Sequence, residues 1–399
     1  MKIWTDENRK RIVNVLFYAA LTIELLLMVL EKSEIPFSYE SYVFRVTFLI
    51  TLVAVLVMKR DMKEWAVVAA LFAVAGFAYV HSGKNDLLRL SAFLIAARDI
   101  DLKKAMKYTF YVSAVGFFLI FVLSVFGVLG DIALVADFGR DNPQEKRYVF
   151  GFGHPNTLFG SIYALFLMWL WLYGESCKWY SYIGVMLLTG VILWQTQSRT
   201  GMLVFVVTIV LAIIARAFPK LSEYRFPYIL GTLFSMVLSV ILTVAAAWKA
   251  ARYYIDGDGG NWFWYLEEKI NYRISNLYYG SEDRGGILYK WKLFAGHGSD
   301  SFFDMGWARL FYWYGIIPTV IIIMAIIAVV YVSWKKHDIW TMILVISLSI
   351  YTLVEATFVT RYLGRDFFLI IGGVYLGYFV RNIVLKMDLE EGKINAGKA

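Results

Sequence analysis

Apolar runs long enough to cross a bilayer as helices recur from one end of this chain to the other, and they decide what it can fold into. Lipid offers no partner for a backbone N–H or C=O, so each run must satisfy its own hydrogen bonds as a helix. Twelve spans are expected, at about 12–30, 41–58, 64–80, 85–98, 107–128, 156–173, 180–196, 201–217, 227–250, 308–333, 339–357 and 366–384. Composition agrees: 60% of the 399 residues are hydrophobic and 18% charged, and a soluble domain of that balance cannot cover its own surface with polar groups. The chain therefore reads as an all-α polytopic membrane protein with one transmembrane domain over 1–399. A large loop, 251–307, lies near the carboxyl end, and a polar tail covers 386–399.

Charge sets the orientation. With the amino terminus in the cytoplasm, the inner side takes Lys2/Arg9/Lys10/Arg11, Lys59/Arg60/Lys63 and Arg98/Lys103/Lys104/Lys107. It also takes Lys178, Arg216/Lys220/Arg225, Lys335/Lys336 and Arg381/Lys386/Lys393/Lys398, so it holds more than half of the 39 basic residues. The short outer loops take far fewer, as the positive-inside rule asks, and both termini are then cytoplasmic. The formal charge of +8 reports topology and lipid head groups rather than nucleic acid. The first run follows Asn8-Arg9-Lys10-Arg11 and reads as a retained span, with no cleavable leader. The single cysteine, Cys177, excludes an internal disulfide. No glycine-rich loop precedes a Lys-Ser/Thr pair, which excludes a P-loop ATPase.

In this orientation the polar oddities of the sequence face outward. GFGHPN (151–156) ends the 129–155 loop, TQSRTG (196–201) is a tight turn, and VEATFVTRYLGRD (354–366) is another turn. Glu24, Arg45 and Arg89 lie in the outer halves of spans, where an ionisable residue either serves function or pairs to lock helices together. Outer arginines are numerous: Arg45, Arg89, Arg199, Arg273, Arg284, Arg361 and Arg365. A guanidinium binds phosphate through a planar fork, so this set suits a lipid-linked diphosphate; snorkelling to ordinary lipid phosphates is the plainer account of any single one. In 261–280, Trp262, Leu266, Ile270, Ile274 and Tyr278 recur every four residues, which predicts an amphipathic helix on the outer membrane surface. Asp256-Gly-Asp258-Gly-Gly260 with Glu267 resembles part of a calcium loop but lacks its glycine and a ligand, so a solvated turn is expected and no metal. His81, His154, His297 and His337 show no metal-ligand spacing.

GFGHPNTLFG opening a span resembles the Wzy-type polysaccharide polymerases of capsule, exopolysaccharide and O-antigen clusters, within the O-antigen ligase/polymerase superfamily. TQSRTG resembles that superfamily's Ser-Arg-x-Gly turn. The long loop with Arg284-Gly285 and Gly296-x-Gly298, and LVEATF, also fit. The likeness covers roughly residues 145–370. It implies a membrane fold of the glycosyltransferase C kind. It also implies polymerisation, on the outer face of a bacterial cytoplasmic membrane, of oligosaccharide repeat units carried on undecaprenyl diphosphate as donor and acceptor. A chain-length regulator and a flippase are possible partners, and no cofactor is expected.

The chemistry then suggests roles. Negative charge develops on the leaving diphosphate, so fixed guanidinium groups stabilise the transition state without a metal. Arg199 and Arg284 are the first expected contacts, followed by Arg361 and Arg365, with Arg45, Arg89 and Arg273 as further binding residues. The acceptor hydroxyl needs a base, and His154, Glu355 and His297 are the choices. Pro155 marks a helix start, which puts His154 and Asn156 at an anion-attracting helix end. There they either hold a diphosphate or sugar hydroxyl, or cap the span and tie down the loop before it. A ligase of the same superfamily would depend on His297 and tolerate changes in GHPN; the slot of His297 here is one the polymerases vary freely. A flippase or transporter should show repeats and a charged midplane cavity.

Overall fold

The structure is a computed structural model that describes residues 5–137, 144–256, 261–270, 272–299, 301–356, 358 and 366–386. It is almost wholly helical, and the apolar runs account for that. In chain order the first half holds α1 (Asp6–Lys32), α2 (Glu40–Val57), α3 (Met62–Ser82), α4 (Asp86–Ala96) and α5 (Leu102–Val125). A two-stranded hairpin follows, β1 (Ala133–Ala136) antiparallel to β2 (Glu145–Tyr148), with Ala133 opposite Tyr148. Next come α6 (Pro155–Tyr173), α7 (Trp179–Trp194) and α8 (Arg199–Ala217). Then α9 (Phe226–Gly231) runs through a π turn (Thr232–Val237) into α10 (Leu238–Asp256). The large loop carries α11 (Asn261–Lys269) and α12 (Arg273–Tyr279). The chain ends in α13 (Gly306–Tyr314), α14 (Ile316–Lys335), α15 (Ile339–Thr352) and α16 (Asp366–Tyr378), which a π turn (Phe379–Val384) prolongs.

Nine helices among the described residues are long and apolar enough to cross a membrane, which makes this a polytopic membrane protein by length and composition. Three expected spans differ in form. The stretch over 85–98 yields α4, only 11 residues long. The stretch over 308–333 is not one helix: Gly315 takes φ +97 and separates α13 from α14. The stretch over 339–357 stops being helical at Thr352, which frees Glu355 from the helix. The hairpin lies inside the segment read as a loop over 129–155, where no strand was expected.

Two helical cores meet along α6 and α16. One gathers Phe17, Leu21, Leu25, Phe93 and Phe117 from α1, α4 and α5 with Leu158 of α6 and Ile370 of α16. The other gathers Phe159, Tyr163, Phe205, Val329, Leu348 and Tyr351 from α6, α8, α14 and α15. The membrane window of α6 is 61% buried, against 22% for α2 and α3, so α6 is an inner helix and α2 and α3 are peripheral. Small residues let backbones close up, as in membrane bundles generally: a Cβ on Gly373 of α16 would run into Leu94 O of α4.

Polar contacts sort the turns into two ends. At one end Lys59 reaches Asp6, Arg98 reaches Glu64 and Lys59 O, and Arg381 approaches Glu64. At the other, Asn156 reaches Glu355, Tyr148 N donates to Gln195 O, and Lys84 donates to Ser299 O.

Candidate functional site

The site is built where α6 begins. Gly151 and Gly153 of GFGHPN have φ +78 and +70, which ordinary side chains resist, so glycine is needed for the chain to double back into the helix. Pro155 then occupies the first helical turn, and His154 becomes the N-cap with extended backbone. His154 Nδ1 accepts the Asn156 N–H at 3.2 Å. The imidazole is held below its ordinary pKa, first by partial removal from water and then by nearby Arg147, and opposed by Asp304. The capping role considered for His154 is thus present, and it requires a neutral Nδ1.

Asn156 points elsewhere. Its Nδ2 donates to Glu355 Oε1 at 3.1 Å, across 199 residues of sequence. Arg273, the first residue of α12, donates to the same Oε1 at 3.2 Å, to Val354 O, and pairs with Asp304 Oδ2 at 3.2 Å. Glu355 itself is fixed by its own backbone, whose N–H bonds to Tyr351 O at 2.8 Å. Gly306 packs so tightly beneath it that a Cβ there would lie 2.7 Å from Glu355 O. Only 12% of the Glu355 side chain is exposed. Burial pushes its carboxyl up to about 7; Asp304 adds to the rise, while Arg273 and Arg309 oppose it. A carboxyl near neutrality beside hydrogen-bond donors is a proton acceptor suited to neutral pH.

Arg309 is 1% exposed, donates through Nε to Phe303 O at 2.9 Å and lies 3.7 Å from the Phe302 ring. Neither Arg309 nor Asp304 was singled out by sequence, because 308–333 read as one span and Asp304 as loop. The FFDMGWARL pattern around them, with a charge on each side of a glycine, is the signal that was there. Arg147 was also missed as a neighbour of His154; it is buried and paired with Glu145 at 2.8 Å.

Arg199 begins α8 and is exposed, with no ion pair among the described residues. A cation at a helix amino terminus opposes the helix dipole, so this end of α8 favours an incoming anion to offset it. The helix is anchored at Gly201, where a Cβ would meet the Phe159 ring at 2.6 Å. Phe159 in turn lies 5.8 Å from Tyr351, one turn before Glu355. Arg199 therefore lies at the same end of the α6/α8/α15 group as Glu355. Arg284 is also exposed, has φ +57 and sits 4.4 Å from the Tyr278 ring of α12. Its neighbour Asp283 accepts from Tyr312 of α13, so α12 and α13 link Arg284 to the Arg273–Glu355 group.

The remaining residues lie apart from this group. His297 is exposed and packs against Gly83 at the end of α3, with its Nδ1 3.0 Å from where a Cβ would stand. Arg89 pairs with Glu24 at 3.3 Å and lies over Phe44 at 3.6 Å. Of the two readings of Glu24, the helix-locking pair is the one seen, reinforced by Thr47 at 2.6 Å. Arg45 is exposed on α2, 5.4 Å from Tyr42. Arg361, Arg365 and the 257–260 turn lie outside the described residues.

The large loop departs from the single amphipathic helix expected over 261–280. The chain turns at Tyr272 (φ +55), and two helices result. Glu267, fully buried, accepts from Ile274 N at 3.1 Å and Ser275 N at 2.6 Å, and so caps α12 instead of standing ready for a calcium ion. Phe263 is buried while Trp262 is 60% exposed, so the four-residue stripe does not define the buried face of α11. Among the described residues no group of three His, Cys, Asp or Glu could hold a metal ion.

The chain matches no family model, and no curated protein or solved structure matches it.

Proposed function

We propose that this protein is a membrane glycosyltransferase that polymerises oligosaccharide repeat units carried on a polyprenyl diphosphate, of the Wzy kind. Twelve spans, from the apolar runs, belong to the same proposal, as do cytoplasmic termini and an outward-facing site, from the charge asymmetry of the turns. The observation that carries it is the convergence on Glu355 of three segments far apart in the sequence. GHPN supplies Asn156, the large loop supplies Arg273, and VEATF supplies the carboxylate.

In this reading the acceptor sugar hydroxyl gives its proton to Glu355 as its oxygen attacks the anomeric carbon of the growing chain. The bond from that carbon to the diphosphate oxygen breaks, and polyprenyl diphosphate departs with the bonding electrons. Arg199 and Arg284, exposed and without carboxylate partners among the described residues, take the departing charge. Arg273 and Asn156 hold Glu355 in place. Guanidinium groups fixed before the reaction cost no reorganisation when the charge develops, which is why they stabilise the transition state more than the ground state.

The test is turnover by purified protein given a lipid-diphosphate-linked oligosaccharide, with EDTA present. A ladder of longer products from the wild type, lost in Glu355→Gln and in Arg199→Ala, is the expected result. Movement of the sugar-lipid across vesicles without any ladder would make the protein a transporter. Transfer of finished chains that depends on His297 would make it a ligase.

A further inference from the structure

At the end of the bundle opposite Glu355 lies a cavity of about 750 Å³. It is bounded by the start of α1, the α2–α3 and α4–α5 turns, and the π turn after α16. Six cations line it, Arg9, Lys10, Lys59, Arg60, Arg98 and Arg381, against four carboxylates. The carboxylates are engaged within the protein. Asp6 holds Lys59 at 2.8 Å, Asp61 and Glu64 form the capping box of α3, and Glu64 and Asp99 both bind Arg98. Arg381 reaches Glu64 only at 3.8 Å.

Arg60 is left with no ion pair among the described residues. Its guanidinium donates to Ile95 O at 3.1 Å, and its Nε is buried with no hydrogen-bond partner. Burial, and then the neighbouring Arg98, hold its pKa down to about 10, with Glu64 and Asp99 opposing from a distance. A shielded cation with no carboxylate paired directly to it is costly, and an anion entering the cavity would offset that cost.

The cavity does not end in protein. Arg60, Glu64 and Arg98 also line the mouth of an apolar cleft of about 480 Å³ between α3/α4 and α14/α16. Leu94, Ile321, Ala325 and Leu376 form its walls, and these same residues line a further space of about 190 Å³ that reaches Leu310 and Phe368. Met324, 60% exposed, marks where the cleft opens sideways toward lipid. The π turn supplies both parts, with Phe379 and Val380 on the cleft and Arg381 on the cationic cavity, and such turns recur at binding sites. A cationic chamber continuous with an apolar, laterally open cleft is complementary to one kind of molecule, an amphiphile with an anionic head.

We propose that this end of the protein binds an anionic glycerophospholipid of the adjoining leaflet, its phosphate among Arg60, Arg98 and Arg381 and one acyl chain in the α3/α4–α14/α16 cleft. Basic pockets between membrane helices take phospholipid head groups in this way. The side opening selects a lipid that diffuses in from the bilayer, and leaves room for its second chain outside the cleft. The site is independent of Glu355 and of any transfer reaction.

Native mass spectrometry of the delipidated full-length protein tests this, with dioleoyl phosphatidylglycerol and dioleoyl phosphatidylcholine as probes. The wild type should retain phosphatidylglycerol about tenfold or more over phosphatidylcholine. Arg60→Gln with Arg381→Gln should abolish that preference, and Ala325→Trp, which fills the cleft, should weaken retention of both lipids. Equal retention of the two lipids by the wild type would overturn the proposal, and needs no variant to be folded. So would an unchanged preference in the double variant. Displacement of phosphatidylglycerol by an equal concentration of farnesyl phosphate would overturn the choice of a glycerophospholipid.

Discussion

Glu355→Gln is the sharpest perturbation available, because it changes charge and basicity but little else. Glutamine keeps a carbonyl oxygen that can accept from Asn156 Nδ2 and from Arg273, which now lie 3.1 and 3.2 Å from Oε1. Packing over Gly306 is unchanged in volume. What disappears is a proton acceptor with a pKa of about 7. A general base contributes about 10²–10⁴ to rate, or roughly 3–5 kcal/mol of barrier, and the variant should lose that much kcat/KM. The pH profile gives a second and independent reading. The active form is the ionised one, so wild-type kcat/KM should rise about tenfold per unit below pH 7 and level off above it. The variant should show no such limb. The assay is product-ladder formation from a lipid-diphosphate-linked oligosaccharide across pH 5.5–8.5, roughly spanning the pKa by 1.5 units each way. A variant within about threefold of wild type would refute the base assignment. So would a wild-type acid limb at pH 4–5, roughly the range of an unperturbed carboxylate.

Arg273→Ala should do more to stability than to chemistry: it strips a buried carboxylate of its cation, costing about 3–5 kcal/mol in thermal unfolding. The same change should shift the acid limb upward, since Arg273 opposes the rise in the Glu355 pKa. His154→Ala should lower stability by about 1 kcal/mol through loss of the N-cap, and His154→Asn should restore it; activity that stays low in the Asn variant would give the imidazole a role beyond capping. Gly201→Leu should drive α8 off the Phe159 ring, at about 1–3 kcal/mol, and displace Arg199. Adding Phe159→Leu should return both stability and product formation, and a failure to do so would separate Arg199 from the site.

The fold class was legible because lipid leaves a chain so few options: an apolar run of sufficient length must be a helix, whatever its neighbours do. Span ends were not legible, for a reason that Gly315 makes plain. FYWYGIIPT is uniformly apolar, so hydropathy joins α13 to α14, yet a single residue at φ +97 separates them. That join puts Arg309 in a span, whereas the structure places it in α13 beside Glu355. The amphipathic stripe of 261–280 failed differently. Its four-residue spacing assumed an unbroken helix, while buried Glu267 starts a second helix by capping Ile274 and Ser275.

The arginines show what one sequence can and cannot separate. An arginine that locks helices, one that meets lipid and one that meets substrate have the same side chain and similar neighbours in sequence. Their partners differ, and partners are set by tertiary packing. Arg89 has Glu24 at 3.3 Å, and Arg273 has Glu355 and Asp304, so both already have their charge answered. Arg199 stands at a helix end that repels cations, with no carboxylate paired to it among the described residues. That placement costs stability in the empty protein. An anion placed between the guanidinium and the N–H groups of the same helix end would offset that cost. By this argument Arg199→Ala should leave thermal stability unchanged or slightly raised, by about 0.3–1 kcal/mol, while product formation collapses. A variant that loses stability and activity in proportion would mean that Arg199 holds the fold together and does not meet a substrate.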